Sequence, residues 1–287
     1  MMAIFRRELR SYFRGVTGWL FSAFLLLFVG IYTMVYCLAN GYPNFEYVMG
    51  NISFIFLICV PILTMRVFAE EKHRKTDQLL YSLPMSLSSI VLGKYLAMLA
   101  VLAVPALVSC VYPLILSQFG AVSMRLAYAS IFFFFLLGAC LLAVGMFVSS
   151  VTESQVASAV VSLVAMLILY FMSGLASYVS TDARASVIAL MVLSLAVALV
   201  VWLLTRSQVL SLALAVVLVG GLFFWYGFEP TAFSGLFPKM MEQLSVFDRF
   251  YNIVEGMFDW TAVVYYLSII VVFVFLTVQA LEKRRWS

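Results

Sequence analysis

The sequence predicts an all-α integral membrane protein, a polytopic bundle of transmembrane helices. Of its 287 residues, 65% are hydrophobic and 10% are charged, whereas a water-soluble domain has about 45–50% apolar residues. The excess is concentrated in separate runs of about twenty residues, the length of helix that crosses a hydrocarbon core of about 30 Å. These runs are continuously apolar and do not alternate as the strands of a membrane β-barrel do.

About eight runs are long enough to cross a membrane, and we expect them to form one transmembrane domain over 1–287. They lie at 17–39, 48–68, 94–118, 126–148, 154–179, 185–204, 208–228 and 261–281. Only Thr205, Arg206 and Ser207 separate the sixth run from the seventh, which predicts a tight helical hairpin. In a six-span alternative, residues 185–228 lie outside the membrane as two apolar helices.

Lysine and arginine are distributed unevenly among the segments that join these runs. With the N-terminus inside, only four of the seventeen face outward, namely Arg125, Arg184, Lys239 and Arg249. An excess of lysine and arginine marks the cytoplasmic side of a membrane protein. Since the number of spans is even, both termini are expected in the cytoplasm.

Residues 3–16 are predicted to form an amphipathic helix at the membrane interface. At 100° per residue, its apolar side consists of Phe5, Leu9, Tyr12, Phe13 and Val16, and its cationic side of Arg6, Arg7, Arg10 and Arg14. A helix with these two faces lies in the plane of an anionic membrane surface, so lipid is an expected partner. In the alternative, the arginines only anchor the first span on the inner side.

A charged segment, residues 69–93, separates the second run from the third. The stretch from position 66 to position 94 carries eight charged residues: Arg66, Glu70, Glu71, Lys72, Arg74, Lys75, Asp77 and Lys94. Leu79, Leu80, Leu83 and Leu87 recur at helical spacing, and Pro84 interrupts that helix. Leucines exposed in the cytoplasm need a cover, which is either lipid or the groove of a partner protein.

Several parts of the chain resemble the permeases of ABC-2 type exporters. The matching motifs are Glu70-Glu71-Lys72, the stretch LLYSLP at 79–84, VLGK at 91–94, the start AIFRRELRSYFR and the turn SSVTESQ at 149–155. The C-terminal part, from FDRFYNIVEGMFDW onward, looks most like the gliding-motility (GldF-like) branch. The two apolar runs within 185–228 are additional to the six spans usual in that family.

The resemblance implies the transmembrane subunit of an ATP-driven exporter in the bacterial cytoplasmic (inner) membrane. It implies two copies of a separate P-loop ATPase subunit, which holds ATP and magnesium, and a second copy of this permease or a related one. It also implies a cytoplasmic coupling helix that docks on the ATPase. Its docking residues would be Glu70, Glu71, Lys72, Arg74, Lys75, Asp77, Leu79, Leu80, Leu83 and Pro84.

The sequence gives no sign of catalysis, cofactor or metal in this chain. It lacks the GxxxxGK[ST] loop that cradles phosphates, since Gly93-Lys94 is followed by Tyr95 and lacks the upstream glycine. The four cysteines form no CxxC pair, and His73 is the only histidine. We therefore expect neither ATPase activity nor a metal site here, and no nucleic-acid partner.

Two further segments have expected roles. Glu153, in the predicted inner turn between the fourth and fifth spans, is expected to face water, arginine or a partner. The outer segment 229–260 mixes aromatic, apolar and acidic residues, so it should form helices on the bilayer surface. The resemblance implies that these helices cap an exit path, where an extracytoplasmic accessory subunit could also bind.

Three other functions remain open at this stage. One is an ABC-like complex that transmits mechanical force without moving a substrate. Another is a secondary carrier or channel, which calls for buried ionisable groups or broken inverted repeats. The third is an intramembrane enzyme, which requires clustered acids or a nucleophile with its base inside the spans.

Overall fold

A computed structural model describes residues 1–73, 75, 86–205 and 208–286. These residues contain helices and no strand. The helix bounds are α1 Met2–Arg14, α2 Thr17–Tyr32, α3 Phe45–Ile52, α4 Phe56–Thr64, α5 Ala69–His73, α6 Leu87–Ser109, α7 Val111–Leu116, α8 Met124–Val151, α9 Gln155–Tyr178, α10 Ala183–Thr205, α11 Gln208–Phe228, α12 Leu236–Leu244, α13 Val246–Val254 and α14 Trp260–Trp286. The predicted all-helical membrane bundle is confirmed.

Seven helical segments of the described chain are long and apolar enough to cross a membrane. They are Thr17–Ala39, Phe45–His73, Leu87–Leu116, Met124–Val151, Gln155–Tyr178, Ser211–Phe228 and Trp260–Arg284. The sequence predicts about eight, and α10 is the difference. This helix forms where the sixth span was predicted. Its apolar part with described side chains, Ala183–Leu199, is shorter than each of the seven spans.

Three of the spans are not continuous α-helices, and the third is divided at Cys110 between α6 and α7. The first continues from α2 through a π-helical segment, Thr33–Ala39, where Thr33 Oγ1 donates to the carbonyl of Val29 at 2.6 Å. The second consists of α3, a 3₁₀ turn at Ser53–Ile55 and α4, which contains Pro61. Pro61 has no backbone N–H, so the carbonyl of Leu57, four residues before it, lacks its usual helical donor.

The described chain divides into two compact units, residues 1–168 with 246–287 and residues 169–245. In the second unit, α10 and α11 pack along each other. Its core contains Val187, Leu190 and Phe233, and the ring of Trp225 lies 5.6 Å from that of Phe233. The predicted outer segment forms a 3₁₀ turn at Pro230–Phe233 followed by α12 and α13.

Helix α8 is the centre of the first unit. It contacts α3, α4, α6, α13 and α14, and 83% of its membrane-spanning stretch is buried. Its small residues allow this close packing. A Cβ at Gly138 would lie 2.7 Å from Leu102 Cδ2, and a Cβ at Gly145 would lie 2.6 Å from Thr64 Oγ1. Without a hydrophobic force between helices in lipid, such contacts hold a bundle together by dispersion.

The close approach of α4 to α8 predicts that Gly145→Ala lowers the thermal stability of the protein. The added methyl group collides with Thr64, which is buried and donates to the carbonyl of Val60, and overpacking of this kind costs about 1–3 kcal/mol. Thermal unfolding of the purified protein in detergent measures the change. Gly220→Ala is the matched control, because a Cβ there meets nothing within 4 Å. Equal stability of the two variants would contradict the packing argument.

Candidate functional site

The most unusual polar group in the described chain is the ammonium of Lys94, on the second turn of α6. Its side chain is 2% exposed. Lys94 Nζ donates to Glu71 Oε1 at 2.8 Å, to the carbonyl of Val67 at 2.9 Å and to Glu8 Oε1 at 3.4 Å. It also lies 5.1 Å from the centre of the Phe68 ring. A buried charge requires this degree of compensation, because its desolvation costs several kcal/mol.

Arg7 completes this group, which we call the Lys94 cluster: Arg7, Glu8, Glu71 and Lys94. Arg7 Nη2 contacts Glu8 Oε1 at 2.6 Å and Glu71 Oε1 at 3.4 Å. Two cations and two carboxylates balance each other, so the cluster is neutral as a whole. Its members come from α1, α5 and α6, and the cluster therefore joins three helices at one end of the bundle.

The local sequence explains how α1 comes so close to α6. Ile4, Glu8 and Tyr12 are four residues apart and share one face of α1, where Ile4 and Tyr12 are buried. Gly93 lies beneath this face, since a Cβ there would be 3.1 Å from Ile4 Cγ2 and 3.2 Å from the carbonyl of Met1. The glycine that precedes Lys94 thus lets α1 bring Glu8 within reach of the buried ammonium.

Lys72 fixes the same segment to a different helix. Its side chain is buried, and Nζ donates to the carbonyls of Ser150 and Thr152, the latter at 3.3 Å. These carbonyls lie at the C-terminal end of α8, where the last backbone acceptors have no partner within the helix and favour a cation.

Ser149 makes the complementary contact from α8 to α5. Its Oγ accepts hydrogen bonds from the backbone N–H groups of Phe68 and Ala69, at 3.1 and 3.2 Å. Amides at the start of a helix need such an acceptor. Through Lys72 and Ser149, α5 is held at both ends against the end of α8.

The structure describes four of the ten predicted docking residues. Glu70, Glu71 and Lys72 bond within the chain, with Glu70 Oε2 2.7 Å from Arg66 Nε. Lys75 is exposed. Six others lie outside the described residues: Arg74, Asp77, Leu79, Leu80, Leu83 and Pro84. Their docking role stays a prediction.

The predicted membrane-interface residues lie on α1. Phe5, Leu9 and Phe13 are half-buried, and Arg6, Arg7, Arg10 and Arg14 are exposed. Arg7 differs from the other arginines because it takes part in the Lys94 cluster. Lipid contact by this helix stays a prediction.

Glu153 contacts the C-terminal helix. Its Oε1 lies 3.1 Å from Arg284 Nη2, and the glutamate side chain is 77% exposed. An exposed pair contributes little to stability, typically about 0–1 kcal/mol. The contact nevertheless joins the turn after α8 to the end of α14.

Sequence reasoning missed the roles of Lys94, Glu8 and Ser149. Lys94 was assigned to a motif but not to a buried ion pair. One signal in the sequence pointed to this role. Lys94 follows Val91 and Leu92 and precedes Tyr95, so it is a single charge within a largely apolar run. A charge in such a position needs a partner. Within the described part of the chain, no three His, Cys, Asp or Glu side chains come together as a metal site requires.

Helices of this length, several of them packed around α8 and joined at one end by buried ion pairs, define a polytopic membrane protein. The chain belongs to the ABC-2 family transporter proteins, whose family model matches residues 2–286. Neither the curated proteins nor the solved structures contained a match. The predicted ABC-2 resemblance is confirmed, and the gliding-motility branch stays a prediction. The protein is a multi-pass transporter subunit, and its family generally pairs with an ATP-binding subunit.

The charge balance of the Lys94 cluster predicts a non-additive pair of substitutions. Lys94→Met leaves the carboxylates in excess, and Glu71→Gln leaves the cations in excess. Each single change should destabilise the protein strongly, by about 3–5 kcal/mol for a buried pair that loses one partner. The double variant restores neutrality. Its loss of stability should therefore be clearly smaller than the sum of the losses in the two single variants. Thermal unfolding in detergent measures all four proteins, and strictly additive losses would refute the coupling.

Proposed function

We propose that this chain is the permease subunit of an ATP-driven exporter in the bacterial cytoplasmic membrane. Two copies of a separate P-loop ATPase bind its cytoplasmic side and hold ATP and magnesium. A second copy of the chain, or a related permease, completes the complex. Both termini face the cytoplasm, and the substrate leaves on the side of the outer segment 229–260.

The observation that carries this proposal is the double attachment of α5. Glu71 connects it through the Lys94 cluster to α1 and α6, and Lys72 with Ser149 connects it to α8. The segment that follows, residues 74–85, carries the predicted docking leucines. A displacement applied there by a docked ATPase would pass through α5 to three helices at once.

The charges at this end of the bundle support its cytoplasmic orientation. Arg6, Arg10 and Arg14 line an open groove of about 550 Å³ on α1 together with Arg7, Ala3 and Ser11. The same end contributes Arg66, Lys72 and Lys94 from the following segments. An excess of lysine and arginine of this kind marks the cytoplasmic side of a membrane protein.

Docking by the segment 74–85 predicts that Leu79→Asp together with Leu83→Asp abolishes co-purification of the ATPase. Charged side chains do not enter an apolar groove, whereas the bundle itself should remain folded because the lesion lies outside the spans. Pull-down of the ATPase by the tagged permease measures association, and size-exclusion chromatography checks the fold.

Leu244→Asp is the matched control for this experiment. Leu244 is 44% exposed at the end of α12, on the side of the membrane away from the ATPase in the proposed topology. It adds one negative charge at an exposed leucine, where the double variant adds two, and association should persist. Unchanged association of the Leu79/Leu83 double variant would remove the docking role from this helix.

The proposed orientation predicts opposite labelling of two engineered cysteines. In a background without the native cysteines, Gln118→Cys should react with a membrane-impermeant maleimide added to right-side-out vesicles. His73→Cys should react only after the vesicles are opened. Both positions are exposed in the structure, so the barrier to reaction is the membrane alone. Labelling of position 73 in closed vesicles would overturn the topology.

A further inference from the structure

A pocket of about 350 Å³ lies between the end of the first span and α3. Along the first and second spans, it is at the opposite end from the Lys94 cluster. Its lining consists of three tyrosines and three asparagines: Tyr36, Asn40, Tyr42, Asn44, Tyr47 and Asn51. Among the residues that the structure describes, no charged side chain lines it. The proposed docking and force transmission make no use of these residues.

The backbone brings these six side chains together. Tyr36 lies within the π-helical segment and Asn40 follows its last residue, and the link to α3 contains Gly41 with φ of 68°. Tyr47 and Asn51 are one helical turn apart on the exposed face of α3, whose other face carries buried Val48, Met49 and Ile52. Tyr36 and Tyr47 therefore stand on helical backbone on the two sides of the pocket, and Tyr42 lies in the link between these helices.

Contacts within the protein orient several rings and amides of the pocket, but some of their hydrogen-bonding groups remain available to a ligand. The Tyr36 ring stacks on that of Tyr32, with centroids 5.6 Å apart and an interplanar angle of 11°. Asn40 Nδ2 donates to the carbonyl of Val35 at 3.0 Å, and Asn51 Nδ2 donates to that of Tyr47 at 2.8 Å. Each of these amides keeps an acceptor oxygen and a second N–H. Among the described residues, the hydroxyls of Tyr42 and Tyr47 have no hydrogen-bond partner.

This chemistry selects a particular kind of ligand. A ligand with a full charge would find no opposite charge in the lining, and a purely apolar one would leave three amides unused. A neutral sugar uses both features, because its hydroxyls pair with amide donors and acceptors while the C–H face of its ring covers an aromatic ring. The pocket volume lies in the range of small-molecule sites, about 300–1,000 Å³.

We propose that this pocket binds a neutral hexose unit, carried by a free glycan or by the headgroup of a glycolipid. The inference rests on the proposed function for its location, because in that topology the pocket opens on the side where the substrate leaves. Tyrosines alone would be typical of an interfacial aromatic belt. An aromatic belt does not require three asparagine amides in the same pocket, and their presence favours a sugar-binding site.

The test uses the full-length purified protein in phosphatidylcholine nanodiscs, with three probes. They are maltotriose, monoglucosyl diacylglycerol and the sugar-free lipid dioleoylglycerol. Saturation-transfer NMR and fluorescence titration measure binding. We expect saturable binding of at least one sugar probe, weakened about tenfold in Tyr47→Leu and in Asn40→Leu, the order expected from losing one aromatic contact or a pair of hydrogen bonds.

Tyr178→Leu is the matched control, since this tyrosine is 89% exposed and does not line the pocket. Its binding should equal that of the unmodified protein. Asn51→Leu serves as a further variant should one of the others fail to fold. Binding of maltotriose identifies a free glycan as sufficient, whereas binding of only the glucosylated lipid identifies a headgroup.

Three results would overturn the proposal: neither sugar probe binds, Tyr178→Leu weakens binding as much as Tyr47→Leu, or dioleoylglycerol binds as well as its glucosylated form. The assay requires neither the ATPase nor a defined orientation. A failure of the docking experiment therefore leaves this result intact, and the absence of sugar binding leaves the docking experiment intact.

Discussion

The buried charge of Lys94 is the constraint on which one end of this bundle depends. An ammonium that is 2% exposed must keep its acceptors in place, because the desolvation cost of an unpaired charge exceeds what any nearby packing contact returns. Its acceptors come from α1, from α5 and from the backbone before α5. The positions of these helices relative to α6 are therefore constrained by one side chain, and Gly93 provides the room for α1 to approach α6.

In the rest of the first unit, close packing and not ion pairing holds the helices together. Inside the membrane, α8 carries few groups that could pair with its neighbours, and its close contacts arise at Gly138 and Gly145. Dispersion over short distances replaces ion pairing there. The bundle thus combines a tightly packed middle with a polar end.

Much of the fold could be predicted from the sequence, because the hydrocarbon core sets the length of every span. The runs at 126–148, 154–179 and 208–228 correspond closely to α8, α9 and α11. The breaks within the first two spans escaped prediction, since π and 3₁₀ geometry leave no clear mark on an apolar run. The site was only partly predictable. The charges of Glu71 and Lys72 are evident, but their partners lie 23 and 78 residues away, and no local pattern encodes such pairings.

The cap that Ser149 supplies to α5 has a consequence for biogenesis. Its two hydrogen bonds join residues 80 and 81 positions apart, whereas Lys94 follows Glu71 by only 23. At a synthesis rate of about 5–20 residues per second, the ribosome needs roughly 4–16 s to reach Ser149 after α5. During this interval, α5 can bond to Lys94 but not to α8. Until Ser149 has been made, the amides of Phe68 and Ala69 lack the side-chain acceptor that the folded protein provides.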